Sequence, residues 1–523
     1  MKKIYLSLIS GFLFVISWVS IGFFPFIFFA FIPLLALEAQ LSKTLPFSSG
    51  KYVFLYSFIS FLIFNFFTTY WICHATIFGA IMAFLINSLL MAFAFYLFHK
   101  IKSQTNTRLG YIAFVAVWIT MEYLHLNWDL SWPWLTLGNV FANFPIIVQW
   151  YEFTGFLGGS LWVLILNVYL FEIIYIKNRK KKLIKVAFFG LFFPIVFSVF
   201  LHSNYEYIKK EILNIVVVQP NVDPYKDKFV ISYDKQLNDF ISLSKKKITN
   251  NTSLLVGPET AILEQIWEDK DNRYNNSLSI LKFRELQQQF PNLNILVGAT
   301  TYRLFHENEK RSSTAREIRD KNIFYDVYNS AIFISKEGGV QIYHKTKLVP
   351  GAEKIPFPYF FNNLSFLSVN LGGVSGSLGS DNSIEKFSFS NVNLLPLICY
   401  ESIYGESGLQ KKINLISVIT NDGWWKETAG YKQHFAYSRL RSVEQRKTII
   451  RSANTGISGV IDERGNILKQ TKWDEETVFS VNVNTNENST FYNKYGDYIG
   501  RISSFISVLF ILMFLVRKIK NPS

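Results

Sequence analysis

Between Ile4 and Leu201 the chain repeats apolar runs with almost no charge inside them. Each is close to the length of about 20 residues that a helix needs to cross a bilayer. Runs of that kind restrict the first part of the chain to a bundle of membrane helices, because lipid is the solvent in which so many uninterrupted apolar turns are stable. From about Asn214 to Asn484 the composition reverts to that of a globular domain, and a last apolar run, Ile502 to Val516, ends in Arg517-Lys518-Ile519-Lys520. The whole-chain averages, 50% hydrophobic, 17% aromatic and 17% charged with a mean hydropathy of +0.19 over 523 residues, blend two unlike regions.

Charge placement gives an orientation. Lys43 and Lys51 share one loop, Lys100, Lys102 and Arg108 another, and Lys177, Arg179, Lys180, Lys181, Lys182 and Lys185 a third. The loops between these, around Phe24, around His74 and from Asn127 to Gln149, carry no basic residue. By the positive-inside rule the basic loops and both termini face the cytoplasm. The expectation is about eight spans, at 4–21, 24–39, 52–73, 78–99, 109–126, 153–176, 184–201 and 501–517. The large domain between the seventh and eighth then lies outside the cytoplasm. Lys2 and Lys3 precede a run with no small-residue cleavage site, so it reads as a retained anchor. The formal charge of +15 is thus a topology signal. No basic stripe interleaved with aromatics marks a nucleic-acid partner.

The globular segment alternates short apolar runs with amphipathic stretches, as an α/β domain does. Strands are expected at Leu213–Val218, Ser253–Val256, Asn294–Gly298, Ala331–Ser335, Gln341–Tyr343, Asn393–Ile398, Leu415–Thr420, Gly456–Ile461 and Val478–Val483. Helices are expected at Phe229–Lys247, Ser277–Gln289 and Tyr431–Lys447. Lys336-Glu337-Gly338-Gly339 and Glu463-Arg464-Gly465-Asn466 are turn signals that divide the later strands into hairpins. A layered sandwich with helices outside and sheets inside fits this order. The domain plan is therefore a helical membrane domain over 1–203, an α/β domain over 212–485 and a closing membrane helix over 501–517.

The two cysteines lie far apart, so there is no disulfide framework. Cys73 falls in a membrane-type apolar segment and reads as packing. Cys399 ends the apolar run Leu397-Ile398 and is followed by Tyr400-Glu401, a placement that can expose a nucleophilic thiol. A thiol attacks a carbonyl only as the thiolate, so it needs a base, and the oxyanion it creates needs donors. Glu259, in Gly257-Pro258-Glu259, can take the proton. Lys345 can stabilise the oxyanion with the backbone N–H after Cys399, and Glu353 can orient the lysine. Singly, each has a plainer reading: a packed cysteine, a turn glutamate, a surface lysine.

Together, Gly257-Pro258-Glu259, Lys345-Thr346-Lys347-Leu348-Val349-Pro350-Gly351-Ala352-Glu353 and Cys399-Tyr400-Glu401 resemble the Glu/Lys/Cys signature of the nitrilase superfamily. The Leu348-Val349-Pro350 segment with its glutamate three residues on, and Asn421-Asp422-Gly423-Trp424-Trp425 after a strand, resemble the apolipoprotein N-acyltransferase family in particular. The architecture does so too, over nearly the whole chain. One departure is Pro350-Gly351-Ala352-Glu353 where Pro-Phe-Gly-Glu is expected, which touches lid contacts more than chemistry. The resemblance implies a polytopic α-helical membrane domain plus an extracytoplasmic α/β nitrilase-like domain of αββα sandwich type. It implies a phospholipid acyl donor, a Cys399 thioester and release of a lysophospholipid. The acceptor is the α-amine of a diacylglyceryl-cysteine lipoprotein, and the setting is a bacterial inner membrane. Glu259 is then the general base, and Lys345 and Glu353 are stabilising and orienting groups. Tyr400 and Glu401 sit beside the nucleophile, and Trp424 lies on a substrate-facing loop.

The histidines, among them His344 and His434, show no metal spacing, and no cofactor is implied. Neither a Gly-x-Ser-x-Gly elbow nor a phosphate loop occurs. Trp128, Trp132 and Trp134 with Pro133 read either as lining for a lipid approach or as an interfacial belt. Glu122 and Glu172 fall within or near spans, either marking a transport path or packing near interfaces. The competing functional reading is a membrane-tethered amidase that hydrolyses a small C–N substrate with the same three residues. One anchor would suffice for such an enzyme.

Overall fold

The computed structural model describes residues 2–45, 48–175, 180–207, 211–228, 230–268, 273–306, 308–318, 322–357, 377–409 and 411–520. Lys177 and Arg179 of the third basic loop, and Phe229 at the expected start of a helix, lie outside these. The chain divides into two units, one of Met1–Cys73, Ile77–Tyr205 and Thr490–Ser523, the other of His74–Thr76 and Glu206–Ser489.

The first unit is helical: Lys2–Ser17, Ile32–Thr44, Ser49–Thr69, Ile77–Ser103, Thr107–His125, Phe156–Tyr175, Lys180–Ser203 and Tyr498–Lys520. Six helical segments among the described residues are long and apolar enough to cross a membrane. Three expected spans differ. The run 4–21 stops as a helix at Ser17, because Gly22 at φ +86 and Pro25 turn the chain into a short 3₁₀ segment, Phe24–Phe29. The run 109–126 is the helix Thr107–His125, which is not among the six, since Arg108, Glu122 and His125 dilute its apolar character. The expected span 153–176 is broken at Gly155, whose φ of +62 separates a single turn, Tyr151–Thr154, from Phe156–Tyr175.

Backbone accounting explains a proline inside one of these helices. Pro194 has no N–H for the carbonyl four residues back, that of Gly190, and an unpaired carbonyl is costly in an apolar setting. Trp162 Nε1 donates to Gly190 O at 2.8 Å and fills the gap. Buried polar side chains pair with one another in the same way. Trp128 Nε1 donates to His125 Nδ1 (2.6 Å), His125 Nε2 to Asn87 Oδ1 (3.1 Å), and Asn87 Nδ2 to Asn65 Oδ1 (2.6 Å). Glu122 accepts from Trp118 Nε1 and from Leu137 N, which makes it a tether between a helix and the following loop. Trp134 is buried and packs edge-on against Trp71 at 4.7 Å, so it belongs to the interior of this unit.

The second unit holds fourteen strands among its described residues: β1 Ile212–Gln219, β2 Thr252–Val256, β3 Ile262–Glu268, β4 Asn294–Leu304, β5 Arg316–Ile318, β6 Ile323–Ile334, β7 Val340–His344, β8 Phe387–Phe389, β9 Val392–Ile398, β10 Leu415–Thr420, β11 Ile449–Ala453, β12 Gly459–Ile461, β13 Ile467–Gln470 and β14 Thr477–Asn484. One sheet runs β14-β1-β2-β4-β6-β5, with β3 on β4 and β7 on β6; the other runs β13-β12-β11-β10-β9-β8. Leu213, Ile215, Val217, Leu254, Val256 and Phe333 of the first meet Leu394, Ile398, Leu415, Ile419 and Ile450 of the second in one buried cluster. Helices Tyr233–Lys245 and Leu278–Gln289 cover the outer face of the first sheet, and Ala429–Gln445 the outer face of the second. That is an αββα sandwich.

Strands β3 and β11 escaped the sequence reading for physical reasons. In β3 the buried residues are Ile262 and Ile266, a spacing of four, because a register shift between them breaks the alternation that marks a strand. In β11 the buried run Ile449–Ala453 contains Arg451 and Ser452, which read as solvent-facing.

Candidate active site

The expected site residues leave the sandwich at strand ends, where a rigid sheet can aim side chains into one space. Glu259 follows β2 through Gly257 and Pro258. Gly257 N donates to Leu296 O at 2.8 Å and Gly298 N to Pro258 O at 3.0 Å. This close approach needs a glycine on β4, since a Cβ at Gly298 would lie 2.5 Å from Thr260 N and 2.7 Å from Glu259 Cα. Lys345 follows β7, its N–H donating to Asn329 O at 2.9 Å. Cys399 follows β9 at φ +51, a left-handed conformation that few non-glycine residues adopt, and opens a 3₁₀ turn, Cys399–Ile403.

The structure brings Glu259, Lys345, Glu353 and Cys399 together. Lys345 Nζ lies 2.8 Å from Glu353 Oε1 and 3.5 Å from Glu259 Oε1. Glu259 Oε2 accepts from Asn421 N at 3.0 Å, and Glu353 Oε2 from Val349 N at 2.8 Å. Burial works against the Lys345 charge, but Glu353, Glu259 and Cys399 outweigh it and hold the ammonium above the usual lysine range. The Cys399 thiol, 8% exposed, is pushed up by burial first and by the Glu259 charge next, with Lys345 pulling the other way.

Glu401 is a clamp. It is fully buried, and its Oε1 accepts from Tyr343 Oη (2.6 Å), Thr346 N (2.6 Å), Thr346 Oγ1 (2.7 Å) and Lys347 N (3.2 Å), while Oε2 accepts from Ile398 N (2.8 Å). One carboxylate thereby ties the loop that carries Lys345 to the strand end that carries Cys399. Tyr400 is buried and packs edge-on against Tyr404 at 5.4 Å. Trp424 is half-buried in the 3₁₀ turn Asp422–Trp425, its ring 5.5 Å from that of Tyr225, whose hydroxyl donates to Trp424 O at 2.7 Å.

Four participants escaped the sequence reading. Asn329 on β6 donates through Nδ2 to both Glu259 Oε1 (2.7 Å) and Glu353 Oε1 (3.0 Å). Its signal was an amide in a strand otherwise buried, masked because β6 reaches further back than its apolar half. Lys228 is buried with its Nζ on Thr260 Oγ1, next to Glu259, and burial lowers it to about 8 against the pull of the Glu259 charge. His434 and Arg451 surround Asp422 behind Cys399, all three buried. Arg451 Nη2 donates to Asp422 Oδ2 at 2.7 Å. His434 Nε2 lies 3.1 Å from Cys399 O. Burial opposes the Asp422 charge, but Arg451 and His434 keep it below the ordinary carboxylate range. Among the described residues no group of three or more His, Cys, Asp or Glu side chains is placed to hold a metal ion.

Residues 10–169 match the family model of the apolipoprotein N-acyltransferase N-terminal domain, and residues 217–490 that of carbon-nitrogen hydrolases. An apolipoprotein N-acyltransferase from Chlorobaculum tepidum is 28% identical, the alignment covering 99% of this chain and 97% of the relative. One from Thermotoga maritima is 26% identical, covering 99% and 95%. Among solved structures, a CN-hydrolase superfamily protein from Xanthomonas campestris is 13% identical with a TM-score of 0.36, covering 52% of this chain and 91% of that one. The chain belongs to the carbon-nitrogen hydrolase family, in the branch that carries the apolipoprotein N-acyltransferase N-terminal domain ahead of it.

Proposed function

We propose that this protein acylates the amino terminus of lipoproteins, drawing the acyl chain from a membrane phospholipid through a thioester on Cys399. Acyl transfer to lipoproteins is the activity named for relatives aligned over nearly the whole chain. The amidase alternative loses ground because the acyltransferase-type domain precedes the hydrolase-type one. The observation that carries the chemical reading is the buried Lys345 ammonium between Glu259 and Glu353, facing a thiol on a left-handed strand end.

In this reading Glu259 takes the thiol proton as sulfur attacks the donor's ester carbonyl. The transfer leaves the total charge of the Glu259 and Cys399 pair unchanged, so the repulsion that holds the resting thiol neutral is not paid again in the step. Lys345 and the Tyr400 N–H face the oxyanion, where preorganised donors are worth most. The ester C–O bond then breaks, Glu259 returns its proton to the lysophospholipid oxygen, and the acyl chain remains on sulfur. An incoming α-amine forms the C–N bond, the C–S bond breaks, and the amine proton passes through Glu259 back to Cys399. Lys345 and Asn329 bridge the Glu259 and Glu353 carboxylates and hold them in place. Burial of the thiol limits water, the competitor for the thioester. Both substrates are anchored lipids, and extracting one costs about 0.8 kcal/mol per CH₂, which a membrane-bound enzyme avoids. The reading places the sandwich on the extracytoplasmic side of a bacterial inner membrane, with Trp424 toward the substrate chains.

The test is mass spectrometry of the purified protein after incubation with phospholipid alone. A hydroxylamine-sensitive acyl adduct on Cys399 that a diacylglyceryl lipopeptide discharges supports the reading. No adduct, or one lost at once to water, sinks it.

A further inference from the structure

The carbonyl oxygen of Cys399 receives two side-chain contacts from outside its own strand. Ser402 Oγ donates to it at 2.7 Å, and His434 Nε2 lies 3.1 Å away and 2.9 Å from Ser402 Oγ. Ser402 has one hydroxyl proton and spends it on Cys399 O, so the proton between His434 and this pair sits on Nε2. His434 itself is fixed from behind: Nδ1 lies 2.8 Å from Arg451 Nη2 and 2.8 Å from Asp422 Oδ1. Asp422 is in turn held by Arg451 Nη2 and by Thr420 Oγ1, the latter at 3.0 Å. Burial and the Arg451 charge keep the imidazole below its ordinary range. The ring of Trp425 packs edge-on at 5.5 Å and closes the remaining side.

A residue at φ +51 stays there only when its surroundings over-determine it. The rotation of the peptide after Cys399 sets both where Sγ points and where the Tyr400 N–H points, so whatever pins that carbonyl aims nucleophile and oxyanion donor together. We infer that His434 is a positioning residue for acyl transfer: its Nε2–H, set by the hydrogen bond that Nδ1 accepts from Arg451, itself held by Asp422, holds the Cys399 carbonyl and thereby the left-handed backbone that presents the thiol. This rests on the reading of Cys399 as the nucleophile.

The experiment follows the rate of acyl adduct formation on Cys399 in a single turnover, over a range of phospholipid concentrations, with thermal unfolding of each full-length variant in detergent. His434→Leu removes the donor, whereas His434→Gln places an amide N–H near the same point. The expected result is a fall of about 10²-fold in the limiting acylation rate of H434L, the size of effect a small misplacement produces. Half-saturation by phospholipid stays unchanged, and H434Q recovers most of the rate. Wild-type acylation in H434L, or equal losses in H434L and H434Q, overturns the inference. If H434L does not accumulate, Ser402→Ala with H434Q replaces it. A limiting rate below that of H434Q alone at unchanged half-saturation supports the role, and an unchanged rate ends it. Absence of any adduct in the wild-type protein would strike the nucleophile assignment itself.

Discussion

Phe188, Phe189, Val196 and Phe505 stand exposed on the helical unit, while in the sandwich full burial goes to Lys345, Arg441, Arg451, Glu401, Asp422 and Glu444. The contrast shows two solvents at work. Where lipid covers the surface, apolar rings face outward, and the interior pairs mostly uncharged groups such as Asn65, Asn87 and His125, with buried Glu38 meeting Lys102 at 2.5 Å. In the sandwich, charges are carried inside in pairs: Arg441 Nε meets Glu444 Oε2 at 2.9 Å and donates through Nη1 to Ile403 O at 2.7 Å, gripping the turn after Cys399. Buried ion pairs rarely add net stability. Their concentration around one strand end marks where geometry is fixed at the expense of stability.

Each unit holds one cysteine, half-buried Cys73 and buried Cys399, which allows the contrast to be broken directly. Cys399→Ala is expected to take lipopeptide acylation to background, a loss of about 10⁴-fold or more as for other nucleophile deletions, while the protein still inserts. Cys73→Ala is expected to act at the parental rate. An active C399A with an inactive C73A would reverse the assignment of the two units.

Glu401→Gln tests the clamp. Weakened bonds from charged to neutral acceptor should cost about 2 kcal/mol, read as a lower denaturation midpoint, and should slow acylation because the Lys345 loop loosens against Cys399. An unchanged midpoint would show that Tyr343 and Thr346 find other partners.

Lys228→Met probes the buried lysine and has a definite pH sign. The folded-state value of about 8 lies below the ordinary 10.5, so between those values the unfolded chain binds more protons and wild-type stability rises with pH. Methionine should therefore raise the unfolding temperature most below pH 8, with the advantage fading as pH climbs through that window. A gain independent of pH would mean packing alone. The smallest effect is expected in the helical unit. Asn87→Leu removes its bonds to Asn65 and His125 and should cost about 0.6 kcal/mol in thermal unfolding, typical of side-chain hydrogen bonds between membrane helices. A severalfold larger cost would place that chain of polar groups among those that hold the unit together.

Apolar runs were enough to find the helices of the first unit, because a bilayer-length helix is a local property of the chain. They did not show that the first run would turn at Gly22 and Pro25, or that Gly155 would divide the sixth, since backbone angle and not hydropathy ends those helices. In the sandwich, hairpin turns and alternating strands were legible, and β3 was not, because its bulge gives two buried residues a helical spacing. Glu259, Lys345, Glu353 and Cys399 stood out as residue types that acyl-transfer chemistry uses. The convergence of Glu259, of the Lys345–Glu353 loop and of Cys399 did not, because these three come from the ends of β2, β7 and β9, separated by long stretches of chain.

What the sequence determined by itself is therefore the local inventory: which segments suit lipid, which suit a sheet, and which side chains are capable of nucleophilic chemistry. Only the tertiary structure decided that Asn329 bridges two glutamates, that Glu401 joins the lysine loop to the cysteine strand, and that His434, Asp422 and Arg451 stand behind the Cys399 carbonyl. The reason is that a hydrogen bond between residues 70 positions apart in the chain, such as that from Asn329 to Glu259, leaves no periodic trace in sequence; it exists only once β2, β4 and β6 have aligned in one sheet and brought their ends together away from water.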